Sequence, residues 1–343
     1  AMRKPQLKQT AKASGAEDVL RIKRNKSISM GEFMSWDFPD EEPLLGPVFT
    51  RASTGMLSAP RGLGKSLLVM NIAYSVAAGK TLLPWGTGAR VVVAYLDGEM
   101  HSRTLQKRLR QIRNRDTKPK TQALALQNLH IIGRDAFEDV IGYIDNEEDQ
   151  LYIESLLPED CQFLIVDNLS AWTSSAREDG GSFAPIKRWL ARLRTKGIGV
   201  LLVHHTGKTG VGQRGSSIHE DMLDYSILLS ADKEGKPKNG TSFLLEHTKL
   251  RELQPDLPQT CRFTFTTDQA SDVMHLAYED CENAVSEIEA KIIELLQEGK
   301  SGKSIAEELG VPAYKVSRVK TAFIAQMRAH ESQADAAQGA EDA

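Results

Sequence analysis

Cysteine is scarce: Cys161, Cys261 and Cys281 are the three in 343 residues, far apart and without a CxxC pair. That spacing argues against a disulfide framework and a cysteine-built zinc site, and it fits a reducing, cytoplasmic setting. Long apolar runs are missing as well. No stretch approaches the roughly 18 residues of a membrane span, and the first residues hold no apolar signal-peptide core, so no membrane association is expected. An excess of one charge is also missing. The 43 Lys and Arg against 46 Asp and Glu leave a net −3, so any basic surface for a polyanion must be local. What remains is an ordinary globular composition, 41% hydrophobic and 26% charged. The length suits one large domain plus something small, and there is no internal repeat.

Residues 1–30 are polar and basic, with Arg3, Lys4, Lys8, Lys12, Arg21, Lys23, Arg24 and Lys26 against Glu17 and Asp18. They are expected to form a flexible arm with a short helix near 16–22. Short apolar strands then alternate with amphipathic helices. Strands are expected at 54–59, 90–97, 129–132, 162–167 and 198–205, and helices at 66–78, 102–114, 141–157 and 183–196. Near-continuous β-branched runs suit a sheet buried on both faces. The alternation predicts a three-layer α/β domain over residues 31–280 with a mostly parallel sheet. Residues 225–230, 242–248 and 261–267 are expected as antiparallel additions on one edge. From 284 to 329 the pattern is helical only, and 330–343 should be disordered.

The stretch SAPRGLGKSLL (58–68) places a Gly-rich turn between an apolar strand and an amphipathic helix. That context is what makes a phosphate-binding loop credible. Backbone N–H groups of Gly62 to Ser66 can form a nest at a helix N-terminus, where the helix dipole favours an anion. The nucleotide-binding candidates are Pro60, Arg61, Gly62, Leu63, Gly64, Lys65, Ser66 and Leu67. Lys65 would reach the β- and γ-phosphates of ATP, and the Ser66 hydroxyl would complete a Mg²⁺ shell. One departure stands out: Ala59 occupies the position of the pattern's first glycine.

Binding alone does not hydrolyse. QFLIVDN ends a strand on Asp167, which has the form of a Mg²⁺-positioning acid, or alternatively of a turn or cap residue. VVVAYLDGEM ends another on Asp97 and Glu99. Either carboxylate could take a proton from an attacking water, or both could cap the following helix. VLLVHHTGKTGVGQRGSS delivers His204 and His205 into a loop with four glycines, Lys208 and Arg214. A metal site lacks a nearby third ligand, and adjacent strand residues point to opposite faces. The expectation is a sensor, one histidine donating to the γ-phosphate and the loop relaying that contact.

The ordered set SAPRGLGKS, YLDGE, LIVDNLS, LLVHHTGK and RGSS resembles the RecA-like ATPases, in particular the RepA-type hexameric replicative helicases. The resemblance covers about residues 31–270. It implies a ring, of six subunits in the family's manner, that moves on single-stranded DNA. It assigns water activation to Glu99, sets the histidine pair beside the γ-phosphate, and makes Lys208 and Arg214 candidate DNA contacts. RepA-type helicases carry an arginine shortly after RGSS, whereas HEDMLDYS here carries acids and no arginine. DnaB-like and KaiC-like relatives place a KxR pair against the neighbour's γ-phosphate, and EHTKLRE supplies Lys249 and Arg251 for that role.

Two further segments bear on nucleic acid. Residues 103–120 hold eight cations and one acid, with Leu105, Leu109 and Ile112 as the buried stripe, so the cations are expected on the outer face. In the last helical segment, Ala306, Gly310 and Val316 fall at helix-turn-helix spacing, with Pro312 opening the second helix. This module resembles that of serine recombinases, and Tyr314, Lys315, Ser317, Arg318 and Lys320 are its expected groove and phosphate contacts. A different class of function also fits: an ATP-switched DNA-binding regulator or recombination mediator that does not unwind.

Overall fold

Alternation along each central strand sends side chains to two opposite apolar layers. In Cys161–Asp167, for example, Phe163 and Ile165 join one buried cluster while Leu164 and Val166 join the other. Both faces are therefore covered, which is why these strands read as unbroken apolar runs. The computed structural model describes residues 27–37, 42–136, 141–174, 180–206, 222–232, 237–252, 254–321 and 323. The basic arm with its expected helix near 16–22, the loop bearing Lys208 and Arg214, and the segment 330–343 lie outside the described residues.

In chain order the elements are α1 (Met30–Met34), β1 (Pro43–Leu45), β2 (Phe49–Thr50), β3 (Thr54–Ala59) and α2 (Lys65–Ala78). Then come β4 (Thr81–Leu82), β5 (Gly86–Thr87), β6 (Val92–Asp97), α3 (Ser102–Asn114), α4 (Pro119–Asn128) and β7 (Leu129–Gly133). They are followed by α5 (Glu147–Leu156), β8 (Cys161–Asp167), α6 (Gly180–Thr195), β9 (Gly199–His205) and β10 (Tyr225–Ala231). The chain continues with β11 (Gly240–Leu250), β12 (Thr260–Asp268), β13 (Val273–Asp280), α7 (Glu282–Gln297) and α8 (Gly302–Leu309). A last helical stretch, α9, runs over 313–321.

The main sheet has nine strands in the order β13-β12-β11-β10-β3-β9-β8-β6-β7. The six from β10 to β7 are parallel, and β11 to β13 add an antiparallel flank. Together with the covering helices this is the expected three-layer α/β architecture with a mostly parallel sheet. One strand corrects the expectation. β10 is not an antiparallel addition: it pairs parallel with β3, Tyr225 opposite Gly55 and Leu228 opposite Ser58. The Gly55 position lets the Tyr225 ring lie directly on the backbone, because a Cβ there would fall 1.9 Å from the ring. Helix α4 and strand β13 were not expected, and the helix expected at 141–157 begins at Glu147, where Asn146 caps it by accepting from Glu148 N and Asp149 N. In the antiparallel flank, Phe263 stacks on Phe243, Phe265 and Trp85.

The helices after β13 bury Ile292, Leu295, Ile305, Val316 and Val319 among themselves. Gly310 ends α8 with φ +60, the left-handed turn that favours glycine. Two of the residues expected to meet DNA, Tyr314 and Arg318, also contact strand β11. The Tyr314 hydroxyl donates to Glu246 Oε2 at 2.8 Å, and the Arg318 guanidinium pairs with Glu246 and, at 3.3 Å, with Glu289. Lys315 is buried, while Ser317 and Lys320 are exposed. The cause is Glu246, a carboxylate facing out of β11 that is nearly shielded from water (8% exposed) and requires a cation beside it.

Candidate phosphate-binding and hydrolysis site

Parallel pairing aligns the carboxyl ends of the central strands, and loops leaving those ends are where α/β sheets bind ligands. Ala59 of β3 sits opposite His205 of β9, and Asp167 of β8 opposite Asp97 of β6. The turn from β3 into α2 is built on two glycines with positive φ, Gly62 at +74 and Gly64 at +111. Gly64 is also needed for space, since a Cβ there would lie 2.9 Å from Thr241 Cγ2 and 3.2 Å from Phe243 Cε1. The strand β11 thus braces the loop, and the Thr241 hydroxyl donates to Leu63 O at 3.1 Å. Ala59, at the position of the missing glycine, is fully buried, and its carbonyl accepts from Lys65.

A cavity of about 280 Å³ opens over the loop. Gly62, Gly64, Lys65, Ser66 and Leu67 form one wall, Glu99, Arg108, Asp167, Asn168 and His205 a second, and Gly240 with Thr241 a third. Pro60 contributes its carbonyl to Lys65, Arg61 is exposed, and Leu63 is turned into the core. Of the expected site residues, Lys65, Ser66, Glu99, Asp167 and His205 meet in this cavity. His204 is buried behind it, as alternation along β9 requires. Among the described residues, no cluster of three or more His, Cys, Asp or Glu could hold a metal ion.

The acids divide into two kinds. Asp97 is 2% exposed, and its Oδ1 accepts from Glu99 N at 2.9 Å and Met100 N at 3.0 Å. Burial pushes its carboxyl up to about 6. It shapes the turn, and that turn projects Glu99 into the cavity. Burial also acts upward on Glu99, but hydrogen bonds from Asn168 and His205 outweigh it and hold the carboxyl below its usual range. Glu99 is therefore an anion at neutral pH. Asp167 is raised by burial, and Tyr95 Oη donates to its Oδ2 at 2.5 Å. Asp167 also shares a hydrogen bond with Ser66. This pair of hard oxygen donors suits Mg²⁺, which keeps most of its shell as water and phosphate oxygen.

Lys65 donates to Ala59 O and Pro60 O, each at 3.1 Å, and to His205 Nδ1 at 2.8 Å. With Nδ1 accepting, the ring proton sits on Nε2, which faces Glu99 Oε1 at 3.2 Å. One imidazole thus links the loop lysine to the carboxylate, and Asn168 Nδ2 lies 3.0 Å from the same nitrogen. Sequence reasoning missed Asn168; its place directly after Asp167 was the available signal. It also placed all the cations of 103–120 outside. Instead Arg108 borders the cavity, and Arg115 donates to Asn71 Oδ1 at 2.7 Å.

Burial pulls Lys65 down to about 8, against the opposing charges of Asp167 and Glu99. A bound triphosphate favours the ammonium, so the lysine's pKa is higher with phosphate than without. Nucleotide affinity should then be flat below pH 8 and fall above it, by at most about tenfold per unit. Calorimetry at pH 9 in buffers of different ionisation heat should find uptake of about one proton per nucleotide; no uptake would contradict this placement of Lys65.

Lys249 and Arg251 are far from this cavity. Leu250 pairs with Tyr225 at the start of the sheet, whereas Thr241 touches the loop at its end. The separation along β11 is roughly 30 Å. Arg251 Nη1 pairs with Asp224 Oδ1 at 3.0 Å, in the wall of a second cavity of about 270 Å³ that Arg51 and Arg194 also line.

The profile of the AAA_25 family, an AAA domain, matches residues 19–211. No curated protein matches the sequence. Among solved structures, a DnaB-like replicative helicase, described with its interactions with primase, is similar at 15% identity and a TM-score of 0.47. That similarity covers 71% of this chain and 65% of the helicase, so the chain spans less than two thirds of its length. A KaiC-like protein of Pyrococcus horikoshii OT3 is similar at 12% identity and 0.47, over 69% of this chain and 98% of that one. The flagellar accessory protein FlaH of Methanocaldococcus jannaschii is similar at 13% and 0.43, over 66% and 90%.

Proposed function

The chain belongs to the AAA_25 family of AAA domains, and from that premise we propose that it is a Mg²⁺-dependent ATP hydrolase that works as a ring, of six subunits, on single-stranded DNA during replication. The observation that carries the hydrolase part is the meeting of Lys65, Ser66, Asp167, Glu99 and His205 in one cavity from four separate strand ends. The loop amides and Lys65 bind the phosphates. Ser66 and Asp167 hold Mg²⁺, which neutralises charge on the transferring phosphoryl group. Glu99, anionic and aimed by the Asp97 turn, takes the proton from the attacking water. His205 connects Lys65 to Glu99 and is followed three residues later by Lys208 and then by Arg214, the candidate DNA contacts.

The ring rests on Arg251 and Lys249. At the far end of β11 they cannot serve their own nucleotide, so a role in hydrolysis requires a neighbour in head-to-tail contact. The rival regulator depended on the last helices reading bases. Arg318 and Tyr314 are committed to Glu246 instead, which favours the motor.

The test is turnover with and without a single-stranded oligonucleotide, together with mass in solution in the presence of AMP-PNP and strand displacement on a forked duplex. The expected result is DNA-stimulated turnover by a six-chain particle that displaces the strand. A single-chain mass under every condition, with turnover indifferent to DNA, would overturn the ring and the motor while leaving the ATPase.

A further inference from the structure

Helix α3 carries its cations in two distinct settings. Arg103 and Lys107 are exposed, and Arg110 is held at 2.9 Å by Asp272, which also accepts from Gln111 at 2.8 Å. Arg108 differs from these. It follows Leu105 by three residues and precedes Ile112 by four, and both of those are fully buried. Helical phase therefore turns Arg108 towards the interior. Its side chain borders the cavity with Gly64, Ser66, Glu99 and Asp167. Among the described residues, the polar partner of its guanidinium is the Met100 thioether, with Nη1 at 3.2 Å from Sδ. Thioether sulfur is a weak acceptor, whereas a guanidinium offers five strong donors in a fork that matches phosphate oxygens.

We infer that Arg108 is a second phosphate-binding cation of the same subunit, contacting the terminal phosphate of a bound nucleoside triphosphate from the side on which Glu99 stands. This rests on the reading of the cavity as a triphosphate site. Lys65 approaches along the loop, from the β3 side, and Arg108 approaches across the cavity from α3. The two cations would bracket the group that is transferred, and a diphosphate would leave Arg108 without its partner. Arg108 is thus the residue by which this site tells a triphosphate from a diphosphate.

The experiment measures AMP-PNP and ADP affinities of the full chain with Mg²⁺, for wild type, Arg108→Ala, Arg108→Lys and Arg103→Ala. Loss of a charged hydrogen bond should weaken AMP-PNP roughly 10- to 100-fold in Arg108→Ala. ADP should stay within about twofold, because its phosphates remain on the loop. Arg108→Lys should recover part of the loss, and Arg103→Ala, an exposed charge on the same helix, should change neither. Equal weakening of both nucleotides, with or without a lowered melting temperature, overturns the inference, as does no weakening. A wild type that binds neither nucleotide removes the site itself, an outcome distinct from an Arg108→Ala protein that matches a binding-competent parent.

Discussion

Replacing Glu99 with glutamine should lower kcat by about 10²–10⁴ while leaving nucleotide binding intact. The substitution keeps the shape of the side chain but leaves one accepting oxygen where the carboxylate offers two, and it removes the negative charge that accepts a proton. The carboxyl is held below its usual range by Asn168 and His205, so at neutral pH the wild type is poised as a base. The pocket does not rely on Glu99 for phosphate contact, which falls to Lys65 and the loop amides. Single-turnover hydrolysis and fluorescent-nucleotide affinity, measured on the same sample, separate the two effects. A Glu99→Gln protein with undiminished turnover would move the proton acceptor elsewhere. Asp97 is poorly suited to inherit the role, because its Oδ1 is spent on two backbone amides and the side chain is turned inward.

Arg251→Ala should cost at least about 10³ in turnover, the scale on which an arginine supplied in trans stabilises phosphoryl transfer. In the far cavity Arg251 sits in an ion-pair cluster. Asp224 holds Arg251 at 3.0 Å, also pairs with Arg194, and accepts from Thr54 N at 2.7 Å. The guanidinium remains 55% exposed, so a neighbouring subunit's phosphate can compete for it. Mixing the two inactive variants makes the decisive comparison. A boundary between a Glu99→Gln chain that donates Arg251 and an Arg251→Ala chain that supplies Glu99 is chemically complete. Random mixing at equal amounts makes about one quarter of the boundaries in a head-to-tail ring complete. Activity should therefore reappear in the mixture. A mixture that shows only the average of its inactive parents would rule out action across a subunit boundary.

Much of the site was legible because it is local. A strand, two glycines, a lysine and a serine lie within the thirteen residues 54–66, and strand-end acids announce themselves by interrupting apolar runs. The central strands were legible because burial on both faces leaves few polar letters in them. Other features depend on partners far away in the chain. Whether 225–230 pairs parallel or antiparallel is not encoded in its own composition; its place beside β3 goes with the Tyr225 ring lying over Gly55, 170 residues earlier. Helix α4 escaped notice because its polar and apolar residues show little periodicity. The pairing of Arg318 with Glu246, 72 residues earlier in the chain, was equally hidden in the sequence. Arg108 was concealed among seven other cations, although its phase relative to Leu105 and Ile112 set it apart.

Strand β11 has a place in each of these stories. Its first residues steady the phosphate loop through Thr241, its middle clasps the terminal helices through Glu246, and Arg251 leaves from its far end. It pairs with β12 over Gly240–Glu246 and with β10 over Phe243–Leu250, with a register shift between His247 and Lys249. Three regions of the molecule are thus tied to one continuous stretch of backbone, from Thr241 at one end to Arg251 just beyond the other. In the head-to-tail ring proposed above, one strand would then touch its own chain's loop, the terminal helices and the neighbouring chain at once.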